Sequence, residues 1–185
     1  MPVLGVVASS ISGHLWVPEG AYDALASVTL TADVYSINVA IPSGYKNLLI
    51  RGWNLSNNAN NAVVIRLNND SSASYDWQAV DAPNSGATPS GFAILGSTYA
   101  IAGYTATTSY PAPSITQIND IDSTNKYKVV RAFGGNYANN TTVTYMGTYG
   151  STWKNLSPVT SLTIAHGSAV NLLKTGTTLN VYGVK

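Results

Sequence analysis

The chain has 185 residues, no cysteine and a formal net charge of +1, and only 9% of its residues are charged. A typical soluble protein has roughly 25% charged residues, so most of the polar surface must come from Ser, Thr, Asn, Gly and Tyr. The lack of cysteine excludes disulfides and thiolate chemistry. The near-neutral charge excludes a long-range field that would gather nucleic acid, and its weak self-repulsion favours a protein that resides in an assembly.

Residues 1–20 are predicted to form an extended N-terminal arm. Gly5, Gly13 and Pro18 interrupt any helical pattern, and the segment lacks the positive charge of a secretory signal. It is unusually apolar for a free tail, and the alternative is a first strand of the domain's own sheet. As a docking arm, it would contact another subunit through Val3, Leu4, Val6, Val7, Ile11, Leu15 and Trp16.

Alternation of apolar and polar residues predicts half-buried strands along residues 21–185. Residues 46–77 stand out, because two apolar runs and a third extended segment are separated by polar clusters at 56–61 and 68–74. Such clusters are typical of β-turns, so the block predicts a meander of three antiparallel strands with Trp53 in the core. It is expected to form the centre of the sheet.

Residues 81–114 are rich in proline and glycine, which predicts long loops with one or two short edge strands. Alternation resumes at residue 114 and continues almost to the C-terminus, giving about nine to eleven strands and no long helical repeat. The predicted fold is a single all-β domain over residues 21–185, an antiparallel β-sandwich of the jelly-roll or Greek-key type. No apolar run approaches the roughly 18 residues of a membrane span.

The sequence offers little for catalysis or for cofactor binding. It has no phosphate-binding loop and no nucleophile elbow, and its two histidines are far apart. Glycoside cleavage needs two carboxylates roughly 5–10 Å apart, for which Asp70 with Asp76, or Asp120 with Asp122, are candidates. Asp70 lies in a polar cluster where capping a turn is its ordinary role, and residues 120–125 have calcium-like spacing but lack the glycine and distal glutamate of an EF-hand. We therefore expect no catalytic residue, metal or cofactor.

Aromatic residues are the strongest binding signal, with 4 tryptophans and 12 tyrosines. Flat aromatic faces stack on sugar rings, and tyrosine adds a hydrogen-bonding group. Trp77 and Trp153 stand beside polar or charged residues and are expected to be partly exposed, so together with Tyr137 they are the candidate glycan-binding residues. The alternative is that these aromatics fill the core of the sandwich.

Several segments together resemble small virion proteins of tailed bacteriophages. They include the Ile-Pro-Ser-Gly-Tyr of residues 41–45, which enters a strand, and the Asn-Asn-Asp of residues 68–70, where the family has Asn-Gly-Asp. Asn69 also accepts a left-handed backbone, so the turn is expected to survive. Residues 81–113 resemble nothing in the family. The remaining similar segments are residues 5–13, 20–30, 46–51, 124–128 and 182–185.

The resemblance implies a non-enzymatic structural or adhesion protein of the virion, assembled in the host cytoplasm, with no catalytic residue to carry over. The first hypothesis is a tail-fibre or adhesion protein that docks on other tail subunits and contacts a host-surface glycan. The second is a capsid decoration protein that stabilises the head. A glycan-degrading enzyme is the hypothesis from a different class. Homo-oligomerisation, with a trimer as one closed arrangement, would hide apolar arms and sheet edges.

Overall fold

The structure is a computed structural model that describes residues 22–57, 61–83, 88–106, 110–137 and 143–185. These residues form an all-β fold, and none of them is in a helix that could span a membrane. The predicted arm, residues 1–20, lies outside the described ranges. The strands are β1 (Asp23–Thr29), β2 (Ser36–Ala40), β3 (Asn47–Asn54), β4 (Ala62–Leu67), β5 (Tyr75–Pro83), β6 (Ser90–Ser97), β7 (Ala100–Tyr104), β8 (Ala112–Asn119), β9 (Lys128–Tyr137), β10 (Val143–Trp153), β11 (Ser161–His166) and β12 (Thr178–Val184).

The strands form two antiparallel sheets that pack as a sandwich. The large sheet has eight strands in the order β1-β12-β3-β8-β9-β10-β5-β6, and the small sheet has four in the order β2-β11-β4-β7. Without the hairpins β5–β6 and β9–β10, eight strands remain, and the first pairs with the last, the second with the seventh, the third with the sixth and the fourth with the fifth. This is the pairing of a rolled-up hairpin, so the predicted sandwich is confirmed as a jelly roll.

The two additional hairpins extend the large sheet beyond the jelly roll. The first is inserted between β4 and β7, and the second between β8 and β11. They join each other through β5 and β10, while β9 pairs with β8 of the jelly roll. The result is a four-stranded extension, β9-β10-β5-β6, that ends at β6. The edge strands expected within residues 81–114 are β6 in the large sheet and β7 in the small one. The long loops expected there are wrong, because most of the described residues of this range lie in strands.

The predicted meander over residues 46–77 is wrong, although its three strands exist. β3 and β5 belong to the large sheet, whereas β4 belongs to the small sheet. The polar segment after β3 therefore crosses between sheets instead of closing a hairpin. Polar turn residues indicate where the chain reverses, but the strand with which each strand pairs depends on burial against distant parts of the chain.

Apolar residues are buried on both faces of the small sheet. The main core lies between the sheets and includes Leu48 of β3 and Ile65 of β4. The neighbouring Val64 faces the other way and packs in a second cluster with Ile101 of β7 and Tyr149 of β10. The large sheet therefore curls around the β7 edge, and its extension covers part of the far face of the small sheet.

Glycines allow this curl, because β7 crosses β9 at very short range. A Cβ atom on Gly134 would lie 3.4 Å from the Cα of Gly103, and one on Gly103 would lie 2.8 Å from the Cβ of Ser114. Gly103 also has a φ of 137°, in the region that favours glycine. Larger residues at this crossing would force the extension away from the small sheet.

Candidate functional site

The outer face of the large sheet, which points away from the small sheet, carries an unusual number of exposed apolar side chains. Each of five adjacent strands contributes one apolar side chain that is 44–54% exposed. The outer face of an antiparallel sheet is commonly polar. Cross-strand pairing places Ile115 beside Phe133, and Trp53 beside Pro113. We call this set the apolar row: Trp53, Val80, Pro113, Ile115, Phe133 and Met146.

Trp53 was expected in the core, and that expectation is wrong. Its neighbours in β3, Gly52 and Asn54, point inward, so the alternation of the strand turns Trp53 outward, where it is 44% exposed. The inner side of β3 at this level instead holds a polar contact, in which Asn54 Nδ2 donates to Ser114 Oγ at 3.0 Å. Runs that are apolar on both faces do not by themselves tell which face is covered.

A small apolar pit lies within the apolar row. It has a volume of about 140 Å³ and is bordered by Pro113, Ile115, Phe133 and Met146. Gly135, which has no side chain, also lines it. The volume is comparable to cavities that accept a benzene ring, so the pit can receive one apolar side chain of a partner.

A larger groove lies beside the apolar row, on the outer face of the extension. We call it the outer groove; it spans β9, β10, β5 and β6 with a volume of about 950 Å³, near the upper end of typical ligand sites. Its floor includes Gly150, where an added Cβ would meet no atom within 4 Å. Polar groups that line it come from Asp76, Gln78, Arg131 and Thr148, with Leu95 on its apolar wall.

Asp76 supplies a fixed negative charge to the outer groove. Its Oδ1 accepts hydrogen bonds from Lys154 Nζ and from the backbone N–H of Gly96, each at 2.8 Å. The Lys154 contact and then the Gly96 contact lower the pKa of Asp76, and partial burial opposes them. Carboxylate, guanidinium, amide and hydroxyl groups on rigid strands, flanked by aliphatic walls, suit a neutral polyhydroxyl ligand.

The structure contradicts one predicted glycan-binding residue and leaves two open. Trp153 is only 1% exposed, so the expectation of a partly exposed ring is wrong; it stacks on Tyr75 with ring centroids 6.3 Å apart. Trp77 is partly exposed, but its side chain points inward beneath the outer groove. Its ring packs edge-on against Phe92, with the ring centroids 5.5 Å apart. Tyr137 ends β9, and its side chain lies outside the described part of the chain.

The carboxylates considered for glycoside cleavage have structural partners. Asp70 Oδ2 accepts from Trp153 Nε1 at 2.7 Å, and Oδ1 accepts from the backbone N–H of Ser72 at 2.9 Å. Asp120 has a φ of 57° and lies 3.6 Å from Lys126 Nζ. Within the ranges that the structure describes, no three His, Asp or Glu side chains cluster as metal ligands.

Sequence reasoning missed both the apolar row and the outer groove. The alternation along β8 and β9 was recognised, but alternation does not tell which face of a strand meets the second sheet. One available signal was the run from residue 82 to 119, which contains no Asp, Glu, Lys or Arg. This uncharged run contains β6, β7 and β8, so it marks strands that lack the charges of an ordinary solvated surface.

Together, the strands and the outer face define an all-β jelly-roll protein whose outer face carries exposed apolar side chains and a groove. No protein-family model, curated protein or solved structure matches the chain. Its function is therefore inferred from the residues of the outer face and from the likenesses within the sequence.

Proposed function

We propose that this chain is a non-enzymatic structural protein of a bacteriophage tail, attached through residues 1–20 and presenting the outer groove to a host-surface glycan. The observation that carries the proposal is that the first described residues and the outer groove lie toward opposite edges of one sheet. The described chain begins beside β1, at one edge, whereas the outer groove reaches β6 at the other. Seven strand spacings separate these edges, which is up to about 34 Å along the sheet.

This separation lets attachment and recognition proceed on the same small domain without competing for surface. If the virion binds a segment that adjoins β1, then β5 and β6 lie toward the opposite edge of the sheet, away from the attachment point. The local resemblance to small phage virion proteins supports the same assignment, and the apolar row between the two regions suits contact with a neighbouring virion protein.

Quantitative mass spectrometry of purified particles tests the location. We expect a few copies of this chain for every hundred copies of the major capsid protein, because tail components are few. A ratio near one, or near one third, would instead support capsid decoration. Absence from the particle would contradict both virion assignments.

Capsid decoration is the second candidate function, and the apolar row favours it. A broad apolar surface on a rigid sheet is typical of a permanent protein contact, and a decoration protein would use such a surface to clamp neighbouring capsid subunits. The copy number separates this function from tail attachment.

Glycan recognition by the outer groove has its own test. We expect Arg131→Ala to weaken retention of the protein on host-surface polysaccharide by about tenfold, because a charge-assisted hydrogen bond contributes about 1.5 kcal/mol or more. Arg51→Ala is the matched control, since Arg51 is an exposed arginine on the same face that does not line the groove. Equal retention of both variants and the parent protein would contradict a glycan site in the groove.

The enzymatic alternative predicts a different result. A glycan-degrading enzyme would shorten host polysaccharide, and Asp70→Asn or Asp120→Asn would abolish that activity while the protein stays folded. The hydrogen bonds of Asp70 favour a structural role, for which the main effect of its substitution is on stability. An assay of polysaccharide length with the three proteins decides between them.

A further inference from the structure

The edge strand β6 lacks the charged residues and the proline that usually protect a sheet edge from pairing with another chain. Among the described residues it pairs only with β5. Sheet edges are commonly guarded by lysine, by proline or by inward-pointing charges, but Ser90–Ser97 has the sequence SGFAILGS and contains none of these. Its backbone therefore offers an unguarded row of hydrogen-bonding groups.

Both faces of β6 carry exposed apolar side chains. Phe92 and Ile94 share the inner face with Trp77 but extend past the edge of the small sheet, where they are 40% and 44% exposed. Leu95 is 77% exposed. An uncharged edge strand that is apolar on both faces is suited to be covered by another strand.

A bulge confines the regular part of this edge to its first residues. The pairing with β5 shifts register between Ile94 and Ser97, and Gly96 at that point has a φ of 67°. Bulges bend a strand away from further pairing. The straight segment that can accept a partner is therefore Ser90 to Leu95.

We propose that β6 pairs antiparallel with β6 of a second copy of this chain, across a two-fold axis at Ala93. Directly opposed residues must point to the same face, and this register satisfies the requirement. It places Phe92 opposite Ile94 of the second copy, an aromatic and β-branched pair of the kind that stabilises sheets. On the outer face it places Gly91 opposite Leu95 of the second copy, so a small residue meets a large one.

The absence of charge is what favours a second copy as the occupant. Pairing across a two-fold axis repeats every charge of the strand on the second copy, so any charge near the axis would lie close to one of the same sign, which is destabilising. The run from residue 82 to 119 has no charged side chain, so no repulsion opposes pairing of β6 with itself. One edge that pairs with its own copy closes at two subunits, so this pairing predicts a dimer, whereas the sequence suggested a trimer as one closed arrangement.

Pairing at β6 also changes the outer groove. The groove extends onto β6 through Gly91, Ala93 and Leu95, so the grooves of the two copies would meet at the axis. They would form one continuous channel across the dimer, able to hold a longer polymer than either copy alone. The proposal stands on the β6 edge and holds whether or not the phage assignment is correct.

A single introduced cysteine tests the proposal, because the chain has none of its own. In the full chain, Ala93→Cys places two thiols opposite each other at the axis, within the Cα separation of roughly 4.4–6.8 Å that a disulfide needs. We expect mild oxidation to yield a covalent dimer at least about tenfold faster than in the control, since opposed thiols have a high effective concentration. The control is Val170→Cys, an 80% exposed position in a loop. Equal rates for the two variants would overturn the proposal.

A second variant tests the interface without a covalent cross-link. Sedimentation of the parent protein should give twice the 19.4 kDa of one chain, and Phe92→Lys should return it to a monomer with an unchanged circular dichroism spectrum. Val170→Lys should remain dimeric. A parent protein that is monomeric at micromolar concentration, or a dimer that survives Phe92→Lys, would contradict pairing through β6.

Discussion

At the scale of single residues, polar side chains tie the turns of this fold to its core. Asp70 holds the turn between β4 and β5 against the indole of Trp153. The buried amine of Lys128 donates to the carbonyl of Ser123 at 2.6 Å and to that of Asn155 at 3.3 Å. Burial lowers the pKa of Lys128, and the charges of nearby aspartates oppose this effect. The sequence indicated the turn role of Asp70, but a lysine that is fully buried at a strand start gives no local signal.

Asp70 should make stability depend on pH in the acid range. Partial burial raises its pKa, but hydrogen bonds from Ser72, Trp153 and Ser74 outweigh that effect and hold the pKa at about 2, below the ordinary 3.8. A depressed pKa stabilises the fold above pH 4, and this contribution is lost as the pH falls from about 4 to 2. We expect Asp70→Asn to lower the free energy of unfolding by about 1 kcal/mol at pH 7, after allowance for solvent screening.

Urea unfolding of both proteins from pH 7 to pH 2 checks this expectation. The difference between them should be constant above pH 5 and should shrink toward zero at pH 2. Ser71→Ala serves as the control, because Ser71 is an exposed residue between β4 and β5 that does not titrate. A difference that does not change with pH would contradict the role of the carboxylate.

At the scale of elements, β9 shows how one strand serves both the core and the surface. Val130 points inward and is fully buried, whereas Phe133 points outward and is 53% exposed. The alternation of the strand was evident from the sequence. From hydropathy alone, the face with Tyr127, Val129 and Phe133 would be expected to pack against the core. In the structure this face is the outer one, and Lys128 is the first residue of the buried face.

Two truncations in β9 distinguish these faces. We expect Val130→Ala to lower the free energy of unfolding by about 2 kcal/mol, because it leaves a cavity in the core. Phe133→Ala should change it by less than about 0.5 kcal/mol, since the removed ring is half exposed, while it reduces incorporation into particles. Urea unfolding and particle composition measure the two effects. A large loss of stability in Phe133→Ala would show that the apolar row belongs to the core.

At the scale of the whole molecule, the jelly roll separates the start of the described chain from the outer groove. The strand order places β1 and β6 at opposite edges of the large sheet, and the docking residues predicted in 1–20 precede β1. The main core contains residues from both sheets and from both ends of the described chain, including Ile37 and Val181. The folding of residues 22–185 is therefore expected to be independent of the first residues.

Deletion of residues 2–18 tests this division of roles. We expect the shortened protein to keep the circular dichroism spectrum and the cooperative unfolding of the parent chain, while it no longer enters particles. Mass spectrometry of particles assembled with each protein measures incorporation. Normal incorporation of the shortened protein would contradict the docking role of the arm, and loss of folding would show that the segment is a strand of the domain.

The sequence by itself determined the all-β class, the approximate strand positions and the left-handed backbone of Asn69, whose φ is 54°. These features depend on neighbours along the chain, so alternation and turn composition report them. Only the tertiary structure decided that β3 and β4 lie in different sheets, that Trp153 is buried and Trp53 exposed, and that β5 is the strand with which β6 pairs. Each of these depends on which distant strands pack together, because the same alternating strand can bury either face and pair on either side.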